Sequence, residues 1–271
     1  MATQASAHPQ PASDSGGPSL SGIIDRWIYV MMVVFLIAVI LIGFVPDSFT
    51  RMAAIQAGER PPFLPQAHFH ALTMGSWMLL LLTQTVLMAT GRRQWHMQLG
   101  MLGLVLAPLL VIAGFMLATA NFGSQIAFAE AGSPEVRAQL DQRLANMSNV
   151  VLMQIRAGIG FLLLVPLALL ARRTDPGTHK RLMILTVIPP LGAATSRITF
   201  LYNTAPDSPA ASLLWPLACA LPMFLWDLYR QRSIHRAYWI FAAIMLPTGL
   251  AVQLLWNSPW WHGVVAQMIG R

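Results

Sequence analysis

Two histidines near the start of an apolar stretch are the first residues whose types and spacing could do chemistry. His68 and His70 follow Pro65, and proline favours the first turn of a helix. If the helix has begun by His68, its turn of about 100° per residue points the two imidazoles about 200° apart, so they cannot bind one ion together. An extended H-x-H would place both rings on one side, where they could bind Cu or Zn. A third alternative is that these interfacial histidines bond loop carbonyls.

The helical alternative puts His70 on a mildly polar face. Thr73, Trp77 and Gln84 lie three, seven and fourteen residues after it, so all four share one side of the helix. We expect this face to point into a helix bundle. His70, Trp77 and Gln84, with His68 beside them, are therefore candidate cofactor-binding residues.

A metal-dependent membrane enzyme would use a different set of residues. His262 follows a Trp-Trp pair near the end of the chain, and it would join His68 and His70 as a metal ligand. No acid is positioned with these histidines as a base or a further ligand. The single cysteine, Cys219, lies in an apolar segment, which excludes an intrachain disulfide and a Cys-based metal site.

Two arginines inside apolar segments suggest an anionic ligand. Arg156 and Arg197 would both lie in the outer leaflet near the depth of His70, and a buried cation there needs a partner. The spans offer few acids, so the expected partners are haem propionates, a lipid phosphate or the polar head of a quinone-like molecule. The alternative is that both side chains extend to the interface or bond helix carbonyls near a proline break.

Three further histidines lie in or beside basic turns. His96, His179 and His235 belong to the sequences GRRQWH, DPGTHKR and RQRSIHR. Because these turns stand at the inner ends of three different spans, the histidines could converge on an inner metal or haem. Contacts with lipid headgroups or carbonyls are the alternative, and the pattern leaves both open.

The elements that must position these residues are membrane helices. Of 271 residues, 56% are hydrophobic and 10% charged, whereas a soluble domain has roughly 25% charged residues. About 20 apolar residues cross a bilayer as a helix. Seven segments reach or nearly reach that length: 27–45, 68–90, 98–120, 149–171, 182–202, 212–229 and 237–256. We predict an all-α, polytopic membrane bundle of about seven transmembrane helices.

The basic residues predict the orientation of this bundle. The net charge of +7 comes mainly from short turns, so it indicates membrane orientation and not nucleic-acid binding. The more basic turns all face one side, which the positive-inside rule places in the cytoplasm together with the N-terminus. We expect a disordered cytoplasmic tail over 1–22, a membrane domain over 23–262 and a short outer tail over 263–271.

Local signals predict two interruptions of these spans. Pro189 and Pro190 stand near the middle of the fifth span and should kink or break it. Such a break is tolerated only where protein or a cavity satisfies the freed carbonyls, and it can mark the substrate site of a transporter. In the outer loop 121–147, Ser133-Pro134-Glu135 is typical of a helix start.

Two longer motifs carry a resemblance. H-x-H…W…Q…G-R-x-x-x-H-x-x-L-G runs from His68 to Gly100, and T-H-K-R-L-M-x-L runs from Thr178 to Leu185, with Arg197 further along the same span. These motifs resemble an uncharacterised family of bacterial polytopic membrane proteins, and that resemblance implies no activity. The arrangement is also distantly similar to cytochrome b561-like bundles, which hold haem between histidines on different helices. This chain departs from them because it lacks paired histidines deep within two helices.

These observations predict a protein of the bacterial inner (cytoplasmic) membrane that binds haem b or a quinone and transfers electrons. Its outer-leaflet pocket would be lined by His70, Arg156 and Arg197. The alternatives are a transporter or lipid-binding protein with its site at the broken helix, a metal-dependent enzyme, and an accessory subunit. The expected partners are membrane lipids and other membrane subunits.

Overall fold

The computed structural model describes residues 19–270, and all the regular structure in that range is helical. The helices are α1 (Leu20–Gln56), α2 (Pro65–Ala89), α3 (Arg93–Gly100), α4 (Leu102–Ala131), α5 (Pro134–Ala138), α6 (Leu140–Thr174), α7 (Pro176–Leu185), α8 (Gly192–Thr195), α9 (Ala210–Gln231), α10 (Arg236–Leu255) and α11 (Pro259–Met268). Within the described range, six helices are long and apolar enough to span a membrane: α1, α2, α3 with α4, α6, α9 and α10. The chain therefore has the architecture of a multi-pass, all-helical membrane protein.

The fifth predicted span is not one continuous helix. Helix α7 ends at Leu185, a 3₁₀ turn covers Pro189–Leu191, and the short α8 follows. The break was predicted from the adjacent prolines, and it is confirmed. Because Pro189 and Pro190 have no N–H, the carbonyl of Thr186 can receive neither of its two possible helical hydrogen bonds. We call residues 176–198 the broken segment.

The broken segment lies inside the bundle, packed against α1, α6, α9 and α10. Its residues Leu182, Leu185 and Leu191 are each at most 2% exposed and belong to the main hydrophobic core. The close approach to α1 depends on Gly43, because a Cβ atom there would lie 2.9 Å from the carbonyl carbon of Ala194. A buried position of this kind is what an interrupted helix requires in a membrane.

Helices α2 and α4 form an antiparallel pair that reaches α6. A Cβ on Gly103 would lie 4.0 Å from the Trp77 ring, and a Cβ on Gly114 would lie 3.7 Å from the His70 ring. Later residues of α4 thus face earlier residues of α2. The Trp77 ring also meets the Phe161 ring of α6 at 5.0 Å between centroids. This contact fixes which side of α6 faces α2.

The ends of the chain differ from the predicted tails. Of the tail predicted over 1–22, residues 1–18 lie outside the described residues, and α1 already begins at Leu20 with the Ser19 side chain accepting a bond from the Gly22 N–H. The tail predicted over 263–271 is helical for most of its length, since α11 runs to Met268 behind a Ser258 cap. The predicted helix start at Ser133 is confirmed in α5.

Candidate functional site

The two histidines of the H-x-H motif lie in regular helix. Because α2 begins at Pro65, the extended metal-binding form of His68 and His70 is wrong. His68 is exposed beside Phe63, whereas His70 is half-buried. His262 bonds Ser148 on α6 through its Nδ1 atom. Residues 19–270 contain no group of three His, Cys, Asp or Glu that could hold a metal, so the predicted three-histidine site is not assembled.

The polar face of α2 points inward, as its periodicity predicted. Trp77 is 3% exposed and Thr73 is 5% exposed. Gln66, His70, Trp77 and Gln84, which we call the α2 stripe, each carry a buried side-chain nitrogen or oxygen with no hydrogen-bond partner in the described chain. The 18 residues from Gln66 to Gln84 rise about 27 Å, nearly the thickness of a bilayer core.

Arg156 is the most isolated charge in the part of the chain that the structure describes. Its side chain is 3% exposed, and its Nε and Nη1 atoms have no partner there. It faces α10, where a Cβ on Gly249 would lie 3.8 Å from Nε. Asn149, two turns earlier on α6, is already bonded to Asn257 at 2.6 Å. The predicted unpaired cation is therefore present at Arg156.

Arg197 has a carboxylate partner, which corrects the expectation that it would lack one. Its Nε atom donates to Asp47 at 3.0 Å, and its guanidinium lies 4.7 Å from the Phe44 ring centre. Arg51 shares the same carboxylate. The predicted first span ended at residue 45, but α1 continues to Gln56 and carries Asp47 over the broken segment.

The three residues expected to line one outer pocket lie in three interfaces. His70 packs between α2 and α4, and Arg197 lies between α1 and the broken segment. Arg156 and Phe161 are five residues apart on α6, so their side chains point about 140° apart. Since Phe161 faces α2, Arg156 faces away from His70. His70 lies seven residues before Trp77 and Arg156 five residues before Phe161, so their depths, counted from the Trp77–Phe161 contact, differ by only about 3 Å.

Two of the three inner histidines meet. The rings of His96 on α3 and His179 on α7 have centroids 6.4 Å apart and planes at 81°. His179 Nδ1 lies 2.8 Å from the Ala168 carbonyl and donates to it, which leaves its Nε2 atom free. His96 Nδ1 is buried and has no partner within the described residues. His235 is separate, because its Nδ1 atom caps α10 through the Ala237 N–H.

A buried ion pair close to these histidines was not predicted from the sequence. Arg181 donates two hydrogen bonds to Asp227, at 2.7 and 2.6 Å, and Tyr238 donates a third. Arg181 and Asp227 are only 6% and 5% exposed. An acid near the end of one span and an arginine near the end of another were visible, but the sequence held no sign that they face each other.

Comparison of the chain with protein-family models, curated proteins and solved structures finds no match.

Proposed function

We propose that this protein is an electron-transfer protein of the bacterial inner membrane that holds a b-type haem between His96 and His179. The supporting observation is the convergence of the His96 and His179 rings from different helices, with His96 Nδ1 unpaired among the described residues and His179 Nδ1 bonded to the Ala168 carbonyl. When bound, the haem iron would supply one-electron redox chemistry.

The residues present fit an iron whose other ligands come from a macrocycle. The described residues offer no third His, Cys, Asp or Glu to these two histidines, so His96 and His179 alone would hold the iron for the protein. Their ring centroids lie 6.4 Å apart, which is close enough for both imidazoles to approach one ion.

The surroundings of the two histidines also fit this group. The hydrogen bond from His179 Nδ1 to the Ala168 carbonyl fixes the ring orientation and keeps Nε2 available, as is usual for metal-binding histidines. Arg93 and Arg172 are exposed in the basic turns that lie next to His96 and His179 in the sequence. Guanidinium groups at this position would bind the carboxylates of a haem.

Optical spectroscopy tests the proposal. Protein purified from cells supplied with a haem precursor should show a Soret band and, after reduction, the sharp α-band of six-coordinate haem. His96→Ala and His179→Ala should each lower bound iron at least about tenfold, because each removes a ligand. His68→Ala is the matched control, since His68 is an exposed histidine on α2, and it should keep the wild-type spectrum.

Addition of free imidazole to His179→Gly should restore the six-coordinate spectrum, which separates loss of a ligand from loss of fold. Absence of a Soret band and of bound iron in the wild-type protein, prepared under the same conditions, would refute the haem proposal.

We also propose that the broken segment is a seventh crossing. Near its start, Lys180 Nζ lies 4.7 Å from the Tyr29 ring centre on α1, and near its end Arg197 bonds Asp47 on α1. The 18 residues of α1 between these contacts rise about 27 Å, which matches a bilayer core of about 30 Å. With seven crossings, the more basic turns lie with the N-terminus on the cytoplasmic side.

A further inference from the structure

Arg156 provides a second site, independent of the two histidines. We propose that its guanidinium binds the oxyanion, a carboxylate or phosphate, of a molecule with an apolar body, such as a fatty acid or an anionic lipid. The site lies between α6, α10 and the broken segment. It has the charge and the surroundings that such a molecule recognises.

The described part of the chain does not satisfy the charge of Arg156. Arg156 is 3% exposed, and Nε and Nη1 have no hydrogen-bond partner in residues 19–270. Three acids within the long helices have other cations: Asp25 bonds Arg230, Asp47 bonds Arg51 and Arg197, and Asp227 bonds Arg181. A buried cation without a counter-charge or hydrogen bonds is strongly unfavourable in a membrane interior.

Arg156 does not extend its charged end to the membrane interface. A side chain that extends to the headgroups keeps its charged end in water. Arg156 instead lies against the backbone of Gly249, whose Cβ position is 3.8 Å from Nε. With 3% of the residue exposed, the guanidinium is held inside the bundle, where a bound ligand would supply the missing acceptors.

The broken segment passes the face of α6 that carries Arg156. Gly160, one turn after Arg156, would place a Cβ 2.8 Å from Pro189 Cγ. Met153, one turn before Arg156, has its methyl carbon 3.3 Å from the Cβ position of Gly192. Arg156 thus lies between two contacts with the broken segment, whose helix is interrupted at the adjacent prolines.

The neighbours of Arg156 indicate the chemistry of the ligand body. Arg156 lies against Gly249, and the residues one turn before and after it on α6 have apolar or backbone neighbours: Met153 lies against Gly192, and Gly160 lies against Pro189 and Met245. Such a lining suits hydrocarbon, whereas a free inorganic anion would need further donors in place of its water shell. The combination of one cation with an apolar lining therefore favours an acid carried on a hydrocarbon chain.

Binding measurements on the full-length protein in a neutral detergent test this site. We expect saturable binding of oleate by the wild-type protein. Arg156→Gln, which keeps the length and polarity of the side chain but removes its charge, should bind at least about tenfold more weakly. Arg156→Lys should retain part of the affinity. Arg197→Gln is the matched control, because its arginine lies in the same half of the bundle but pairs with Asp47, and it should bind oleate normally.

Inorganic phosphate is the second probe and identifies the source of the anion. Binding of phosphate that is lost in Arg156→Gln would support an oxyanion site filled from water. Oleate binding that is unchanged in Arg156→Gln, or absence of binding of both probes to the wild-type protein, would overturn the proposal. Thermal stability guards against misfolding: delipidated Arg156→Met should melt above delipidated wild type, and oleate should raise the Tm of wild type only.

Discussion

At the scale of single residues, two buried arginines differ in whether they have a partner. Arg181 shares two hydrogen bonds with Asp227, which receives a third from Tyr238. Arg156, equally buried, has no such partner within the described residues. A buried pair with satisfied oxygens is compatible with a rigid bundle, whereas an unpaired cation is compatible with a bundle that binds something.

The Asp227 pair should contribute strongly to stability. In Asp227→Ala, Arg181 would remain buried without its counter-charge, and we expect the free energy of unfolding to fall by about 3–5 kcal/mol. Unfolding of the purified protein by a denaturing detergent, followed by circular dichroism, measures this change. The double variant Arg181→Met/Asp227→Leu should recover most of the loss, because neither charge is then buried alone.

Asp25→Ala is the control for this experiment. Asp25 bonds Arg230, but both side chains are about two-fifths exposed, at 40% and 42%. Water screens such a pair, so the loss should stay below about 1 kcal/mol. Equal losses in the two single variants would contradict the assignment of Asp227 as a buried structural charge.

Residue periodicity predicted the inward face of α2 and the isolation of Arg156, because both follow from helical geometry and from the scarcity of acids. It did not predict the partner of Arg197, because the hydrophobic pattern ends before Asp47 although the helix does not. Nor could it select His96 and His179 over His235. That choice depends on how α3 and α7 pack, which is a property of tertiary structure.

At the scale of elements, the broken segment depends on glycines that let helices approach it. Gly43 brings α1 against the backbone of Ala194, and Gly160 brings α6 against the Pro189 ring. Neither glycine has a positive φ, so their role here is lack of volume rather than backbone freedom. Small residues at helix contacts are the usual means of close packing in membranes.

Gly43→Ala should therefore destabilise the bundle by about 1–3 kcal/mol, because the new methyl group meets the rigid backbone of Ala194. The same detergent unfolding experiment measures the loss. Gly75→Ala on α2 is the matched control, since a Cβ there has no neighbour within 4 Å, and its effect should be below about 1 kcal/mol. A loss in Gly75→Ala as large as that in Gly43→Ala would show that the close approach to α1 is not responsible.

The adjacent prolines predicted the break in the fifth span because together they remove both helical hydrogen-bond donors for the Thr186 carbonyl. Helix ends were harder to predict. Pro46 did not stop α1, and the apolar stretch after Trp256 formed α11 instead of a tail. Neither the capping by Ser258 nor the hydrogen bond from Trp261 to the Ser148 carbonyl was predicted from the sequence.

At the scale of the whole molecule, the number of crossings decides which side each turn faces. If the broken segment crosses, Asp207 lies outside and Ser233 lies in the cytoplasm; without that crossing, their positions are reversed. Both residues are exposed. After replacement of Cys219 by serine, a membrane-impermeant maleimide applied to cells with a permeabilised outer membrane should label Asp207→Cys. It should label Ser233→Cys only after lysis.

Labelling of Ser233→Cys in intact cells would contradict the seven-crossing proposal. A cysteine at Gln94, which is exposed and lies in the basic turn after α2, provides the cytoplasmic reference, because six crossings or seven leave its position unchanged. Equal labelling of Gln94→Cys and Ser233→Cys in every condition is the expected pattern.

The two charged ends of the broken segment have partners that are synthesised at different times. When the ribosome has completed the segment, Asp47, 150 residues before Arg197, has long been in place. Asp227 lies 46 residues after Arg181 and has not yet been translated. The Arg197 end can therefore pair before α9 is made, whereas the Arg181 end must wait for α9. A chain truncated before α9 has Arg181 without its acid, and we expect such a chain to assemble poorly.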